Sequence, residues 1–592
     1  MDSTHQDAEK AHVEAVDAAA HDGNGAVLAA GVRRIEAVWK TSTRAEFWFI
    51  YIGILAVAYV YSINLQFHYT LEAFITSFFK SHSSGIATMG IISGTLNAVT
   101  RVPVAKIADV FGRWQAMAFC VVCYALGYIL MCVAKSFGAY AGASVLWTIG
   151  TSGVYMMQQI MIADTTSLRT RGFFSSLPDY AFVINAWVGP IVAEHFQGEG
   201  ALDPNTGEII NDSWRWGYGM IVILIVIVSQ PVILGLAWIE RRAMKRITTK
   251  IPGNNYASKG FWVAVHHHMD LLGVLLLIAG LFVFLFPFAK ANTWGWEDAR
   301  IISMIVIGFA ILVAFFVQQK FMSRNPIFPP RFLTQRTIAG CFISGFLLFV
   351  AFGVYAAYYT SYLVVTRGYS FKEATWVWNG SNIAGTICSI AVGALMVWTK
   401  RFKTFAFIGA AVLVIGYGLL INLKGPENSN FEVIATQVLA GVGTGILTTA
   451  VQVGAQAAVP HKDVAMLTAV FLTICGIGST VGGAIAGGIW TNLMTSKINE
   501  YLPGVPAANV SQIVENIVFA GALPEPFLTG VKLAYVDVAK IINIVALCFL
   551  IPIFIALWFV EDLELTDELS LVANNEDVKE AAEHRNNSTT TL

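Results

Sequence analysis

Charge is scarce in this chain. Only 13% of its 592 residues are Asp, Glu, Lys or Arg, whereas 56% are hydrophobic. That balance excludes an ordinary soluble enzyme, and a net charge of -1 singles out no partner. Cysteine is sparse as well. All seven (Cys120, Cys123, Cys132, Cys341, Cys388, Cys475, Cys548) fall inside apolar stretches and read as small packing residues, with no disulfide or metal framework. No His, Cys, Asp or Glu set has metal-ligand spacing, and no Gly-rich phosphate loop follows a strand. The His266–His268 run reads as a hydrated cluster at a membrane interface. No polar segment between apolar runs approaches the roughly 100 residues of a typical domain. An enzyme, a cofactor and a nucleic-acid partner are therefore not expected.

Apolar runs of membrane-crossing length dominate from about 47 to 560. In lipid each backbone polar group needs an internal partner, so these runs predict an all-α polytopic membrane protein. Fourteen spans are expected, near 47–65, 86–108, 115–134, 138–161, 174–195, 217–239, 269–288, 300–318, 338–365, 374–398, 405–422, 432–458, 465–490 and 538–560. Arg113, Arg169, Arg171, Arg241, Arg242, Lys320, Arg336 and Lys400 lie in loops of one side, which the positive-inside rule puts in the cytosol. Residues 1–45 and 561–592 read as disordered cytosolic tails, the second acidic, and the first lacks the apolar core of a signal peptide.

Between the second and third spans stands Ala105-Lys106-Ile107-Ala108-Asp109-Val110-Phe111-Gly112-Arg113. It resembles the cytosolic-loop signature of the major facilitator superfamily. Eight spans later, Thr399-Lys400-Arg401-Phe402-Lys403 is a degenerate counterpart. This offset implies a 6+2+6 plan: a six-helix half at 46–240, two extra helices within 241–337, and a second half at 338–560 with a long outside loop at 491–536. By analogy with that fold, spans one, four, nine and twelve line a cavity. Each carries a polar stripe at helical spacing: Tyr59, Ser62, Gln66 and Tyr69; Thr148, Ser152, Tyr155 and Gln159; Tyr355, Tyr359 and Tyr362; Thr444, Thr448 and Gln452. Such stripes also serve as helix–helix glue. The glycines from Gly476 to Gly488 read as a packing surface between halves.

Gln158-Gln159-Ile160-Met161-Ile162-Ala163-Asp164-Thr165-Thr166-Ser167-Leu168-Arg169-Thr170-Arg171-Gly172, with Tyr59-Val60-Tyr61-Ser62 and Trp214-Arg215-Trp216-Gly217-Tyr218, is similar to the fungal siderophore–iron transporter family of that superfamily. The resemblance implies proton-coupled import of ferric siderophore complexes by a monomer in the plasma membrane, or in an endosomal or vacuolar membrane. Haem import and glutathione or drug–proton antiport stay open as alternatives. Family members commonly have an acid where this chain has Asn64. Glu72 and Asp179 remain as proton-coupling candidates. Asp109, Gly112, Arg113, Asp164, Arg169 and Arg171 are expected to form an inner gate. The loop 491–536 is either a passive connector or, as the family implies, a lid in which Phe519, Phe527 and Tyr535 cap the ligand; its apolar set 513, 514, 517 and 518 has helical spacing. Asn211 and Asn509 open glycosylation sequons on the outer side.

Overall fold

Three helices begin with the same device, a Ser or Thr that accepts from a backbone N–H while a Glu three residues on reaches back. Thr43–Glu46, Ser370–Glu373 and Ser429–Glu432 each close such a box, satisfying donors that a helix start leaves free. In the computed structural model the described residues are 43–165, 168–197, 212–246, 270–323, 326, 332, 334–422, 425–459, 461–503 and 505–563. Among them the regular elements are helices: α1 (Arg44–Phe78), α2 (His82–Phe111), α3 (Arg113–Val133), α4 (Phe137–Thr165), α5 (Leu168–Gln197), α6 (Trp214–Arg246), α7 (Leu271–Trp294), α8 (Ala299–Phe321), α9 (Arg336–Ala356), α10 (Tyr359–Arg367), α11 (Phe371–Thr399), α12 (Lys403–Asn422), α13 (Asn430–Ala457), α14 (His461–Tyr501), α15 (Ala507–Glu515), α16 (Ile517–Gly521) and α17 (Phe527–Phe559). Among the described residues ten passages, counting α9–α10 as one, are long and apolar enough to cross a membrane. α2, α4, α5 and α11 are as long but more polar.

The ninth expected span is not one helix. It breaks between α9 and α10, where Tyr358 leaves helical geometry with φ −116° and ψ 11°. The thirteenth runs three turns beyond the expected end at 490, and the last begins at Phe527. The expected loop 491–536 is therefore mostly helix, and its apolar set is split by Asn516. The Asn516 side chain ends α15 and caps α16 by accepting from the N–H groups of Val518 and Phe519. The tails expected at 1–45 and 561–592, the His266–His268 run and Asn211 lie wholly or almost wholly outside the described residues.

Packing repeats with an offset of eight passages. α1 packs on α5 and α6, α3 on α4 and α6, and α2 on α4. In the same way α9 packs on α14 and α17, α12 on α13 and α17, and α11 on α13. The two sets meet along two seams, α2 against α14 and α5 against α11. Small residues make the first seam close: a Cβ added at Gly476 would touch Ala98, one at Gly487 would meet Ala87, and one at Gly94 would strike Thr480. The opposite face of α14 presents Gly478 and Gly482 to the backbone of α9. α7 and α8 pair with each other, and α7 lies on both α2 and α14. Val274, Leu277, Leu281 and Leu285 of α7 share an apolar cluster with Ile91 and Val99 of α2 and Ala484 of α14.

Candidate functional site

A cavity of about 700 Å³ lies between the two sets of helices. Its walls come from α1 (Gln66, Tyr69, Glu72), α2 (Ser93, Asn97), α5 (Phe182, Ala186), the α9–α10 break (Ala357, Thr360, Ser361), α11 (Thr375, Trp378, Asn379, Asn382, Thr386) and α14 (Ser479, Thr480). α1, α2 and α5 correspond to α9–α10, α11 and α14 under the eight-passage offset, so the lining itself is two-fold. Among the described residues of that lining Glu72 is the single charged one; amides, hydroxyls and rings supply most of the polar surface. Asn379 spans the halves, donating through Nδ2 to Gln66 Oε1 at 3.1 Å and to the Ala186 carbonyl at 2.9 Å. Asn97 is fixed by a hydrogen bond from the Ser152 hydroxyl.

Of the expected stripe residues, Gln66 and Tyr69 line this cavity, as does the proton-coupling candidate Glu72. Tyr59 is 40% exposed, two turns nearer the gate end of α1. Ser62 is fully buried in the first half. Tyr155 stacks on Tyr61 and lies under the Arg101 guanidinium, 5.5 Å from its ring, and Gln159 is half-buried a turn further toward the gate. Tyr355, Tyr359 and Tyr362 turn into the second half, at 3%, 2% and 1% exposure. There Tyr355 and Tyr359 pack on Trp378, and Tyr355 also on Tyr417. The helix break explains this, since it presents Thr360 and Ser361 to the cavity instead. Thr448 Oγ1 is buried without a hydrogen-bond partner, and Gln452 is half-buried on α13, outside the lining.

Sequence reasoning passed over α2, α5, α11 and α14 as lining helices, in favour of spans four and twelve. The signal was present: Thr375, Asn379, Asn382 and Thr386 recur at i, i+4, i+7 and i+11, as the chosen stripes do.

At the gate, Gly112 takes φ +115°, a region that favours glycine. The turn brings Arg113 back to donate to the Ala108 carbonyl at 2.8 Å and to pair with Asp164 at 2.9 Å. Both partners belong to the first half, so this pair fixes the ends of α2, α3 and α4 to one another. The side chains of Asp109, Arg169, Arg171 and Asp179 lie outside the described set.

The opposite end is tied across the halves. Lys372 pairs with Glu194 at 2.8 Å, and Trp376 donates to the Trp187 carbonyl. The Tyr358 hydroxyl donates to the Ser83 carbonyl at 2.6 Å, while its ring stacks on Trp490 at 4.2 Å. α15 and α16 cover this corner. Phe519 is half-buried and Phe527 44% exposed, whereas Tyr535 is fully buried in α17 with its ring edge-on to Trp490. Asn509 is exposed in the first turn of α15.

A helical bundle with a two-fold, polar-lined chamber between related halves defines a polytopic membrane transporter. Residues 47–483 match the family model described as Major Facilitator Superfamily, and the chain belongs to that superfamily. It is 32% identical to the MFS siderochrome iron transporter C of Aspergillus fumigatus over 91% of this chain and 87% of the relative. It is 33% identical to the siderophore iron transporter mirC of Emericella nidulans over 88% and 85%. Siderophore iron transporter 1 of Schizosaccharomyces pombe is 28% identical over 90% and 85%. Among solved structures, the fold is similar to a bacterial homolog of the human lysosomal transporter Spinster in an inward-facing, unoccupied conformation. That match has a TM-score of 0.53 at 14% identity, over 88% of this chain and 98% of the other. A POT family transporter in complex with 5-aminolevulinic acid matches with TM-score 0.51 at 14% identity, over 88% and 99%.

Proposed function

We propose that this chain imports ferric siderophore complexes across the plasma membrane by alternating access, driven by protons. The observation that carries the reading is the cavity. A siderophore wraps its iron completely, so recognition falls on the organic shell rather than on metal ligands. A shell of amide and hydroxamate oxygens is matched by Gln66, Tyr69, Asn97, Asn379 and Asn382, with Trp378 and Phe182 as apolar walls. A lining with one acid and no cation among the described residues favours a complex of zero or positive charge, because an unpaired anion would be desolvated without compensation. The names of the relatives support the same cargo.

The ties between halves gather at the α15–α16 end, which the charge bias of the loops places outside. The state is thus outside-closed, and the inner gate residues Arg113 and Asp164 secure one half rather than bridge two. Glu72 is the acid placed to exchange a proton with the chamber. Uptake of radioiron-labelled ferric siderophores in yeast lacking its own siderophore transporters tests the reading. Saturable iron accumulation that is lost with a protonophore is expected. Absence of uptake for every siderophore, with haem import or glutathione exchange in its place, would overturn it.

A further inference from the structure

The first N–H groups of a helix have no partner within it, and its start carries partial positive charge. At α2 the residue that caps, Ser81, makes no side-chain bond to the helix. The cap arrives from 432 positions away: Glu515, the last residue of α15, accepts the Ser83 N–H on Oε2 at 2.9 Å. Three parts of the molecule converge on this turn: besides Glu515, Tyr358 of the α9–α10 break donates to the Ser83 carbonyl and Lys290 of α7 donates to Ser84 Oγ at 3.1 Å. Close by, the Ile517 N–H of α16 donates to Ser77 Oγ at the end of α1 at 3.3 Å. Val510, Ile513, Val514 and Ile517 bury the apolar underside of the α15–α16 cover.

We propose that Glu515 is a proton-binding site of the outer cover, which closes onto α2 with a proton on this carboxyl and lifts with the carboxyl ionised. The proposal deepens the transport reading, because it assumes that the outer end opens in the cycle. The proton comes from the outer solution on closing and returns there on opening, so no charge crosses the membrane. The protonated acid keeps its carbonyl oxygen for the Ser83 N–H, and the latch survives without a buried charge.

The surroundings point the same way. Burial pushes the Glu515 carboxyl up to about 7, against the pull of the Ser83 N–H and of Lys290. In an open cover it would stand in water, near about 4.3. The closed state therefore binds the proton more tightly, and closure is favoured as outer pH falls through about 7 toward about 4.3. Other titratable groups face this corner from each packed element. His82 on α2 turns Nδ1 to Thr76 Oγ1 and has no partner on Nε2. Lys290 stands on α7, Tyr358 at the break and Tyr535 on α17. On α14, Lys497, Glu500 and Tyr501 are held in a separate set with Asp537, with Lys497–Glu500 at 2.9 Å and Tyr501–Asp537 at 2.8 Å. α16 brings no titratable side chain.

A cysteine beneath the cover reads this out without any substrate, so its result stands apart from the choice of cargo. Ala520 is fully buried in α16. All labelling rates by a membrane-impermeant maleimide on intact cells are taken relative to an exposed reference cysteine, Ala522→Cys, at the same pH, so that the loss of thiolate in acid cancels. In the full chain carrying Ala520→Cys that relative rate should be several-fold lower at about pH 5 than at about pH 7.5. The parent chain gives the background from native cysteines. Glu515→Gln, which retains the acceptor and removes the charge, should label slowly at both pH values. Lys290→Met takes away a charge that favours the ionised form and should move the midpoint to higher pH, a shift that mere loss of packing would not produce. Labelling that ignores pH in the Ala520→Cys chain, or a Glu515→Gln variant that keeps the full pH response, would overturn the proposal. An unmoved midpoint in Lys290→Met would do so as well.

Discussion

In the first half, Tyr128 of α3 donates to Asn64 of α1, and Tyr218 of α6 joins His68 of α1 at 2.9 Å to Tyr140 of α4 at 3.0 Å. His68 also lies 4.0 Å from the Trp147 ring. The corresponding place in the second half holds Tyr355 and Tyr359, Tyr417 of α12 and Gln437 of α13. There Gln437 stands beside the hydroxyls of Tyr355 and Tyr359 as their shared partner. α1 runs 35 residues without interruption, while its counterpart divides into 21 and 9. A bundle whose polar groups are paired across four helices resists rearrangement. Polar groups that tie a divided helix to one neighbour oppose its bending less. The outer end thus has a stiff side and a yielding side, and the helix break sits on the yielding one.

The comparison is broken most directly at Tyr218. Tyr218→Phe leaves His68 and Tyr140 buried and unpaired, at about 1–3 kcal/mol for each group stranded. The purified protein should melt several degrees lower in detergent, and an unchanged melting point would mean that the network does not stiffen the first half. Tyr128→Phe strands only Asn64 and should cost about 1–3 kcal/mol. Next in size is the bond between halves. Hydrogen bonds between membrane helices average about 0.6 kcal/mol with a maximum near 1.7. Asn379→Ala, which loses two, should change the apparent KM for ferric siderophore a few-fold with expression unaltered. The smallest effect belongs to the yielding side. Tyr359→Phe removes one of two hydroxyls that share Gln437 and should lower stability by only about 0.6 kcal/mol, the average for a bond between membrane helices. A large loss there would show that the two halves are equally paired.

Much of the architecture was legible because it follows from local rules. Apolar runs set the helices and Gly112 permits the sharp turn, whereas the capping boxes Ser370–Glu373 and Ser429–Glu432 went unread. The eight-passage offset visible in the two loop motifs reappears in the packing. The site was legible in part. The stripe on α1 pointed to Gln66 and Tyr69 because α1 is unbroken, so spacing in sequence is spacing on one face. The same rule misplaced Tyr355, Tyr359 and Tyr362, because no Pro or Gly marks the break at Tyr358 and periodicity assumes continuity. Asn64 drew notice as a missing acid, yet it lies wholly inside the first half and faces Tyr128 rather than the chamber. The Glu515–Ser83 contact was invisible, since nothing local in either segment announces a partner hundreds of residues away.

The glycines along α14 carry a mechanical meaning. Helices that interlock by side chains must lift knobs out of holes before they move, and each knob withdrawn leaves a void that adds to the barrier. Where α14 meets α2, many of the knobs are absent, and Gly476 and Gly487 face only the small side chains of Ala98 and Ala87. Such a contact behaves as a smooth bearing: it holds the halves at short range, and it offers few teeth to disengage when they rock. The contacts that must break for the outer end to part are then the polar ties at the rim, Lys372–Glu194, Trp376–Trp187 and Tyr358–Ser83 among them.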